Sequence, residues 1–240
     1  MTPYAVTLHP FEERAYLNAW MPALVERRPV SVLLDLAGEH EALRARLAAW
    51  VPTMRSAVAS LRAGDGLPWS ASVNFAFGIV AAHHHPSYLL GNLGLSYWRS
   101  ASECPLRPYT RSASILAART RELGAAVGEI REGFSGPATS GSFVAAGEVF
   151  LLVRDIERRT RYFLERLQEA GYDGYAELRV LLEVMHYARA NHLGVMELTH
   201  AVDDFGRPLL FPEANLRGGL RGGLNPAVDD RLRQCLQRNS

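Results

Sequence analysis

Apolar residues recur at steps of three and four along most of this chain, and they alternate strictly in only a few short segments. The run formed by Leu47, Val51, Met54 and Val58 is typical of a helix with one buried face, because an α-helix completes a turn every 3.6 residues. The regular strand–helix alternation that builds a parallel α/β sheet is missing from the sequence. The pattern therefore predicts a helix-dominated α+β domain with a small β-sheet.

Two alternating segments, at residues 4–9 and 195–202, and one apolar run, at residues 30–36, are predicted as strands. We expect the sheet to use the segments that begin at Val30 and Val195. The spacing predicts helices over residues 11–21, 43–61, 70–82, 112–127, 149–167, 176–191 and 227–238, although residues 70–82 also alternate as a strand would. A short turn separates the fifth and sixth of these helices, which predicts an antiparallel helical hairpin in the C-terminal half, capped by Gly194.

Two Gly-rich segments interrupt this pattern. Residues 133–147 are small and uncharged, which is typical of a linker or a mobile loop and marks a candidate internal domain boundary. A second segment repeats Arg-Gly-Gly before a polar helix. We therefore expect a single α+β domain over residues 1–215, followed by a Gly-rich linker and a polar C-terminal helix over residues 216–240.

All 26 basic residues are Arg, and the chain contains no Lys. Schiff-base and pyridoxal chemistry, P-loop phosphate binding, protein-kinase chemistry and Ser-x-x-Lys acylation all need a Lys amine, so the sequence excludes these classes of enzyme. The basic residues are balanced by 25 acidic ones, for a formal net charge of +1. This balance gives the chain no overall attraction to nucleic acid or to an anionic membrane.

The cysteines and the N-terminus bear on location. Cys104 and Cys235 are the only cysteines, and they lack the close spacing of a metal site. Glu12, Glu13 and Arg14 stand where a signal peptide needs an apolar run, and the sequence has no uninterrupted apolar segment of membrane-spanning length. We expect a cytoplasmic protein with two reduced thiols and no membrane contact.

Three consecutive histidines, His83, His84 and His85, precede Pro86. Imidazoles are well placed at the C-terminal end of a helix, where the helix dipole favours positive charge, so a structural role is the first interpretation. Zinc or manganese binding is the alternative. It would use His83 and His85, which share a side only if the run is extended. The primary interpretation requires no cofactor.

Two Glu-x-x-His groups, Glu183/His186 and Glu197/His200, resemble half of a di-metal site. The first lies on the polar side of its predicted helix, and the second lies on a predicted strand whose faces separate its two members, so neither favours a di-metal centre. His200 is predicted to share a strand face with apolar residues, as a core histidine would. If Asp35 lies beside it, the two could form an acid–base pair.

Arg and aromatic residues are concentrated in one stretch, and these are the residue types that are enriched at the centres of protein interfaces. The candidate partner-binding residues are Tyr97, Trp98, Arg99, Arg107, Tyr109 and Arg111.

No intact catalytic motif accompanies this stretch. The sequence therefore favours a non-catalytic cytoplasmic protein-binding module, such as an adaptor or an immunity-type neutralising protein. The alternative is a metal-assisted or acid–base hydrolase, with His200 and Asp35 as catalytic candidates and His83 and His85 as metal ligands. The expected partner is another protein, and the sequence specifies neither its identity nor the oligomeric state.

Overall fold

The computed structural model describes residues 5–63, 73–91, 94–95, 106–112, 140–169, 172–218 and 224–238. These residues form a helix-rich α+β domain around one mixed six-stranded sheet, which confirms the predicted fold class. Two apolar clusters lie on the two faces of the sheet, one built with the N-terminal helices and one with the C-terminal helices. Within the described ranges, no helix combines the length and the apolar character that crossing a bilayer requires.

The strands are β1 Val6–Phe11, β2 Ser87–Gly91, β3 Thr110–Ser112, β4 Ser140–Val144, β5 Gly194–Thr199 and β6 Leu216–Gly218. Their order in the sheet is β3-β4-β5-β1-β2-β6, and every neighbouring pair is antiparallel except β2 and β6. In the central pair Val6 lies opposite Thr199 and Phe11 lies opposite Gly194. This register fixes which loops meet at each end of the sheet.

The N-terminal helices are α1 Glu13–Ala15, α2 Met21–Val25, α3 Val30–Asp35, α4 Glu41–Ala63 and α5 Phe75–His84, and a π-helical turn, Tyr16–Trp20, joins the first two. We call this group the first layer. The predicted stripe of α4 is confirmed, because Leu47, Val51, Met54 and Val58 are all buried. The structure also resolves the ambiguity of residues 70–82 in favour of a helix over its described part.

The C-terminal helices are α6 Ala146–Arg158, α7 Thr160–Glu169, α8 Gly174–Ala190 and α9 Pro226–Arg238, and a short 3-10 turn, Glu213–Asn215, precedes β6. We call this group the second layer. The helix predicted over 149–167 is divided, because Arg159 leaves the helical conformation (φ −123°, ψ 28°). The predicted helical hairpin is present, since α7 and α8 follow one another across a short turn and pack together.

Side chains of the central strands alternate between the two layers. Phe11 and Met196 pack in the apolar cluster of the first layer, whereas Leu8 and Val195 pack in that of the second. The alternation follows from the pleat of a strand, which points successive side chains to opposite faces. Each face of the sheet is thereby covered by helices.

The predicted strand at 30–36 is wrong, because Val30–Asp35 is helix α3. Pro29, in extended conformation (φ −49°, ψ 143°), starts the helix, and Leu33 is its only fully buried residue. An apolar run of this length is too short to reveal its period, and its β-branched residues favoured the strand interpretation. In the structure β1 pairs with β2 on one side and with β5 on the other.

Three local predictions are also corrected. Residues 140–147 form β4 and the start of α6 rather than a linker, and Ser112 ends β3 rather than starting a helix. Gly194 begins β5 instead of capping α8, whose last cap is Asn191. A Cβ atom at Gly194 would lie 2.8 Å from the Phe11 ring, so this position needs glycine for close approach.

The predicted C-terminal segment is partly integrated into the fold. Leu216–Gly218 forms β6 alongside β2, and α9 buries Val228 and Leu232 in the second layer. The polar helix predicted over 227–238 is confirmed as α9. The division into domains stays a prediction, as does the helix over 113–127, which lies outside the described residues.

Candidate functional site

The predicted partner-binding residues are only partly described. Tyr97, Trp98 and Arg99 lie outside the described residues. Arg107 is exposed in the turn that precedes β3, while Tyr109 and Arg111 are half-buried. The described part of the cluster is therefore a short segment at the β3 edge of the sheet.

This segment is fastened to α6 by two polar contacts. A guanidinium N–H of Arg111 donates to the Glu148 carboxylate at 2.5 Å, and the hydroxyl of Tyr109 hydrogen-bonds the Asp155 carboxylate. Burial and the neighbouring Asp155 charge raise the pKa of the Tyr109 phenol above its ordinary value. Glu148 and Asp155 stand two turns apart on one side of α6, so the segment runs alongside the helix.

The outer face of α6 carries large apolar side chains. Phe150 is 55% exposed and Leu151 is 38% exposed, whereas Leu152 and Val153, the next two residues, are completely buried. Arg154 and Arg158 are exposed on the same face. We call the following residues the α6 surface: Arg107, Phe150, Leu151, Arg154 and Arg158.

The charges of the α6 surface are uncompensated within the part of the chain that the structure describes. Neither Arg107, Arg154 nor Arg158 forms an ion pair there, while the nearby Arg159 pairs with Asp155 at 3.6 Å. The surface is therefore basic as well as apolar, although the whole chain is almost neutral.

A shallow cavity of about 290 Å³ extends this basic region to α7 and is lined by Arg158, Arg159, Arg161, Tyr162 and Glu165. The guanidinium carbons of Arg159 and Arg166 lie 4.7 and 5.5 Å from the centre of the Tyr162 ring. Stacking of this kind holds long arginine side chains in place. The cavity and the α6 surface together can bind an anionic, partly apolar group.

The predicted location of the histidine run is confirmed for two of its members, since His83 and His84 are the last residues of α5. Nδ1 of His83 donates to the Ile79 carbonyl at 2.9 Å, and Nε2 of His84 donates to the Leu36 carbonyl at 2.8 Å. Burial, together with neighbouring positive groups, lowers the pKa of His83. The ring of His40 lies beside both, with centroid separations of 5.2 Å to His83 and 6.1 Å to His84.

His85 contacts a different residue from those that His83 contacts. Its Nδ1 lies 3.3 Å from the Tyr187 hydroxyl, and burial lowers its pKa although the charge of Glu12 opposes this. His83 and His85, the predicted metal ligands, thus have different hydrogen-bond partners, and their pairing at a metal ion stays a prediction. No three His, Cys, Asp or Glu side chains among the described residues are grouped so that they could hold a metal ion.

Asp35 and His85 do meet in one cleft. The cleft has a volume of about 280 Å³, its polar lining comes from Glu12, Asp35, His84 and His85, and its floor is apolar. Asp35 itself is exposed at the end of α3, 3.9 Å from a nitrogen of Arg44. Titratable groups of opposite charge type above an apolar floor are suited to proton transfer to a small ligand.

The predicted acid–base pair of His200 and Asp35 does not form. The register of β1 with β5 places His200 just beyond the start of β1, whereas Asp35 lines the cleft beside Glu12, just beyond the end of β1. A six-residue strand spans roughly 20 Å, which separates the two groups. His200 is half-buried after the end of β5 rather than on a core strand face.

The Glu-x-x-His groups serve the packing of the second layer. The Glu183 carboxylate accepts the Asn225 backbone N–H at 3.2 Å, and His186 Nε2 lies 3.5 Å from the Glu157 carboxylate. Two guanidinium nitrogens of Arg231 also donate to Glu157, each at 2.9 Å. Glu197 is buried in β5.

One buried titratable residue was missed by the sequence reasoning. His9 is completely buried on β1, where its Nε2 lies 2.7 Å from the Thr7 hydroxyl and its Nδ1 lies 2.9 Å from the Ser87 hydroxyl. Since Thr7 donates to the Leu198 carbonyl, Nε2 is the nitrogen that donates to Thr7. Burial lowers the pKa of His9 to about 3. The sequence signal that could have revealed the burial of His9 is the strand alternation, which places Thr7, His9 and Phe11 on one face.

A second missed feature is an exposed turn after β5. Phe205 is 81% exposed at its tip, and the Arg207 guanidinium lies 5.6 Å from the centre of its ring. The Asp203 carboxylate accepts the backbone N–H groups of Phe205 at 2.9 Å and of Arg207 at 2.7 Å, which fixes the turn. Such an Asx turn is readable from the sequence only as a turn, without its exposure.

Comparison of the chain with protein-family models, with curated proteins and with solved structures gave no match. The geometry described above is therefore what bears on function.

Proposed function

We propose that this chain is a non-catalytic cytoplasmic protein-binding module, of the adaptor or neutralising kind, that binds an acidic partner protein through the α6 surface. The observation that carries the proposal is the exposure of Phe150 and Leu151 beside Arg154 and Arg158, which have no ion-pair partner among the described residues. Aromatic residues and Arg are enriched at interface centres, while most other charged types are depleted there.

The apolar part of the α6 surface supplies the binding energy in this proposal. Phe150 is more than half exposed, so its truncation should cost the free protein little unfolding free energy. In a complex it becomes a candidate anchor, because truncation of such an anchor typically costs about 2 kcal/mol or more of binding free energy.

The charges select the partner. Arg107, Arg154 and Arg158 give the α6 surface a local positive potential that an acidic protein surface complements. Complementary charges at the rim of an interface mainly accelerate association, and salt screens them over about 10 Å. Binding is therefore expected to weaken as the ionic strength rises.

The α6 surface stands on a well-supported helix. Val149, Val153 and Ile156 anchor α6 in the second layer, and the Glu13 carboxylate accepts the Ala146 N–H at 2.5 Å at its first turn. The contact of Arg111 with Glu148 adds support from β3. A preorganised surface loses less conformational entropy when it binds.

The test is affinity capture from a lysate of the source organism, followed by purification of the captured protein and titration calorimetry. We expect an acidic protein that binds the wild type and Phe205→Ala equally, because Phe205 lies on a different element. The same protein should bind Phe150→Ala at least about tenfold more weakly. The proposal would be contradicted if Phe150→Ala and Leu151→Ser bound the captured protein as tightly as the wild type does. Capture of nucleic acid alone would contradict it too.

Acid–base hydrolysis is the second candidate function, and the observation that favours it is the cleft shared by Glu12, Asp35, His84 and His85. Here His85 would move the proton and Asp35 would bind the ligand. Hydrolysis of simple esters or phosphoesters that is lost in His85→Gln and retained in His200→Gln would support this function. Absence of turnover in the wild type over a broad substrate panel would count against it.

A further inference from the structure

Two imidazoles from different elements face each other at the end of α5. His40 lies just before α4, His83 lies in the last turn of α5, and their ring centroids are 5.2 Å apart with an angle of 60° between the ring planes. A tetrahedral ion with metal–nitrogen distances of 2.0–2.1 Å places the centres of two imidazole rings about 5 Å apart. The separation in the structure equals that spacing.

His83 is held in the tautomer that metal binding requires. Its Nδ1–H donates to the Ile79 carbonyl at 2.9 Å, which leaves the lone pair of Nε2 for a ligand. Histidines that bind metal ions almost always donate their other N–H to a carbonyl or a carboxylate in this way. The contact is thus of the kind that supports a metal-binding imidazole.

The electrostatic surroundings also suit a cation. The C-terminal end of α5 presents the negative end of the helix dipole, and Glu39 and Glu41 flank His40 in the chain. The positive charge of Arg46 near His83 opposes a cation here.

We propose that His40 and His83 together bind one divalent transition-metal ion, of the zinc, nickel or copper class, with water completing its coordination. Imidazole ligands suit these ions better than magnesium, calcium or manganese. Because no third protein ligand is grouped with this pair among the described residues, binding is weaker than at a closed structural zinc site. The site is independent of the α6 surface and of the proposed partner.

Titration calorimetry with Zn²⁺ on chelator-treated, full-length protein tests the proposal. The variants are His40→Ala and His83→Ala, and the control is His192→Asn. His192 lies on an exposed turn with a positive φ of 57°, a conformation that Asn tolerates. We expect one ion per chain, with affinity reduced at least tenfold in either alanine variant and unchanged in the control, since even loss of an outer-shell partner costs that much.

Circular dichroism of each variant checks that it folds, and a zinc-induced rise in melting temperature provides a second readout that should vanish in both alanine variants. Binding of Zn²⁺ that survives in the His40→Ala/His83→Ala double variant would overturn the proposal, because the ion would then lie elsewhere. Absence of Zn²⁺ binding to the wild type would overturn it as well.

Discussion

Helices α4 and α6 belong to the two layers on opposite faces of the sheet, and both bury an apolar stripe, yet their outer faces differ. On α4 the exposed positions hold small or polar residues, such as Ala48, Thr53 and Ser56. On α6 they hold Phe150 and Leu151 together with arginines. The inward faces follow from packing within each layer, so the difference between the outer faces is what supports the proposed binding role of α6.

The two layers also contain titratable groups whose pKa values are shifted in opposite directions. The first layer covers His9, whose pKa is lowered, and the second contains Glu177, whose pKa burial raises to about 7, with the charge of Asp173 contributing. Burial disfavours the charged form of both groups. Protonation of His9 at low pH and ionisation of Glu177 at high pH therefore each oppose folding.

The largest expected effect tests the acid sensitivity of the first layer. Since the folded-state pKa of His9 lies below its unfolded value, its stabilising contribution is complete above about pH 6.5 and is lost progressively as the pH falls toward 3. The loss is roughly 5 kcal/mol over that range. Urea unfolding between pH 3 and 7 should show it, and His9→Gln, which does not titrate, should flatten the profile. An unchanged profile in His9→Gln would remove His9 as the cause.

The next effect tests whether the inward faces of α4 and α6 are equivalent. Leu47→Ala on α4 and Leu152→Ala on α6 each remove a completely buried side chain and should each cost about 3 kcal/mol of unfolding free energy. Denaturant titration measures both. A loss below about 1 kcal/mol for only one of them would show that its layer is loosely packed and would break the comparison.

A smaller effect tests the charges on the outer face of α6. Arg154→Glu should leave the stability within about 0.5 kcal/mol of the wild type, because Arg154 is exposed and forms no ion pair with a described residue. Association with the captured partner should slow, and its dependence on salt should decrease. Stopped-flow measurements at two salt concentrations test this, with Arg46→Glu on α4 as the control. Equal slowing in both variants would point to a general charge effect.

The smallest effect concerns Glu177. Its folded-state pKa lies above the unfolded value, so its contribution to stability is complete below about pH 4.5 and is lost as the pH rises through 7. Glu177→Gln should therefore raise the free energy of unfolding at pH 8, by less than about 1 kcal/mol because the group is partly exposed, and change it little at pH 5, as denaturant titration at the two pH values measures. If Glu177→Gln stabilised the protein more at pH 5 than at pH 8, the upward direction assigned to the pKa shift of Glu177 would be wrong.

Long periodic segments were predictable from the sequence, and short ones were not. The stripes of α4 and of α6 with α7 repeat over many residues, so their buried faces follow directly from the helical period. The apolar run at Val30 is too short to distinguish a helix from a strand, and β4 is a Gly- and Ser-rich segment whose pairing with β5 comes from the sheet rather than from its own composition.

The candidate sites show the same limit. The helix-end location of His83 and His84 follows from Pro86 and was predicted correctly. The contact between His40 and His83 joins residues more than forty positions apart, and the exposure of Phe150 depends on which face of α6 the sheet covers. Both features depend on tertiary packing, which the hydrophobic periodicity of the sequence does not reveal.

The most direct test of the central claim is hydroxyl-radical footprinting of the protein with and without its captured partner. The account predicts that oxidation of Phe150 and Leu151 falls several-fold on binding, whereas oxidation of Phe205, which is also exposed in the free protein, stays the same. Unchanged oxidation of Phe150 and Leu151 in the saturated complex would contradict it, because the partner would then bind elsewhere.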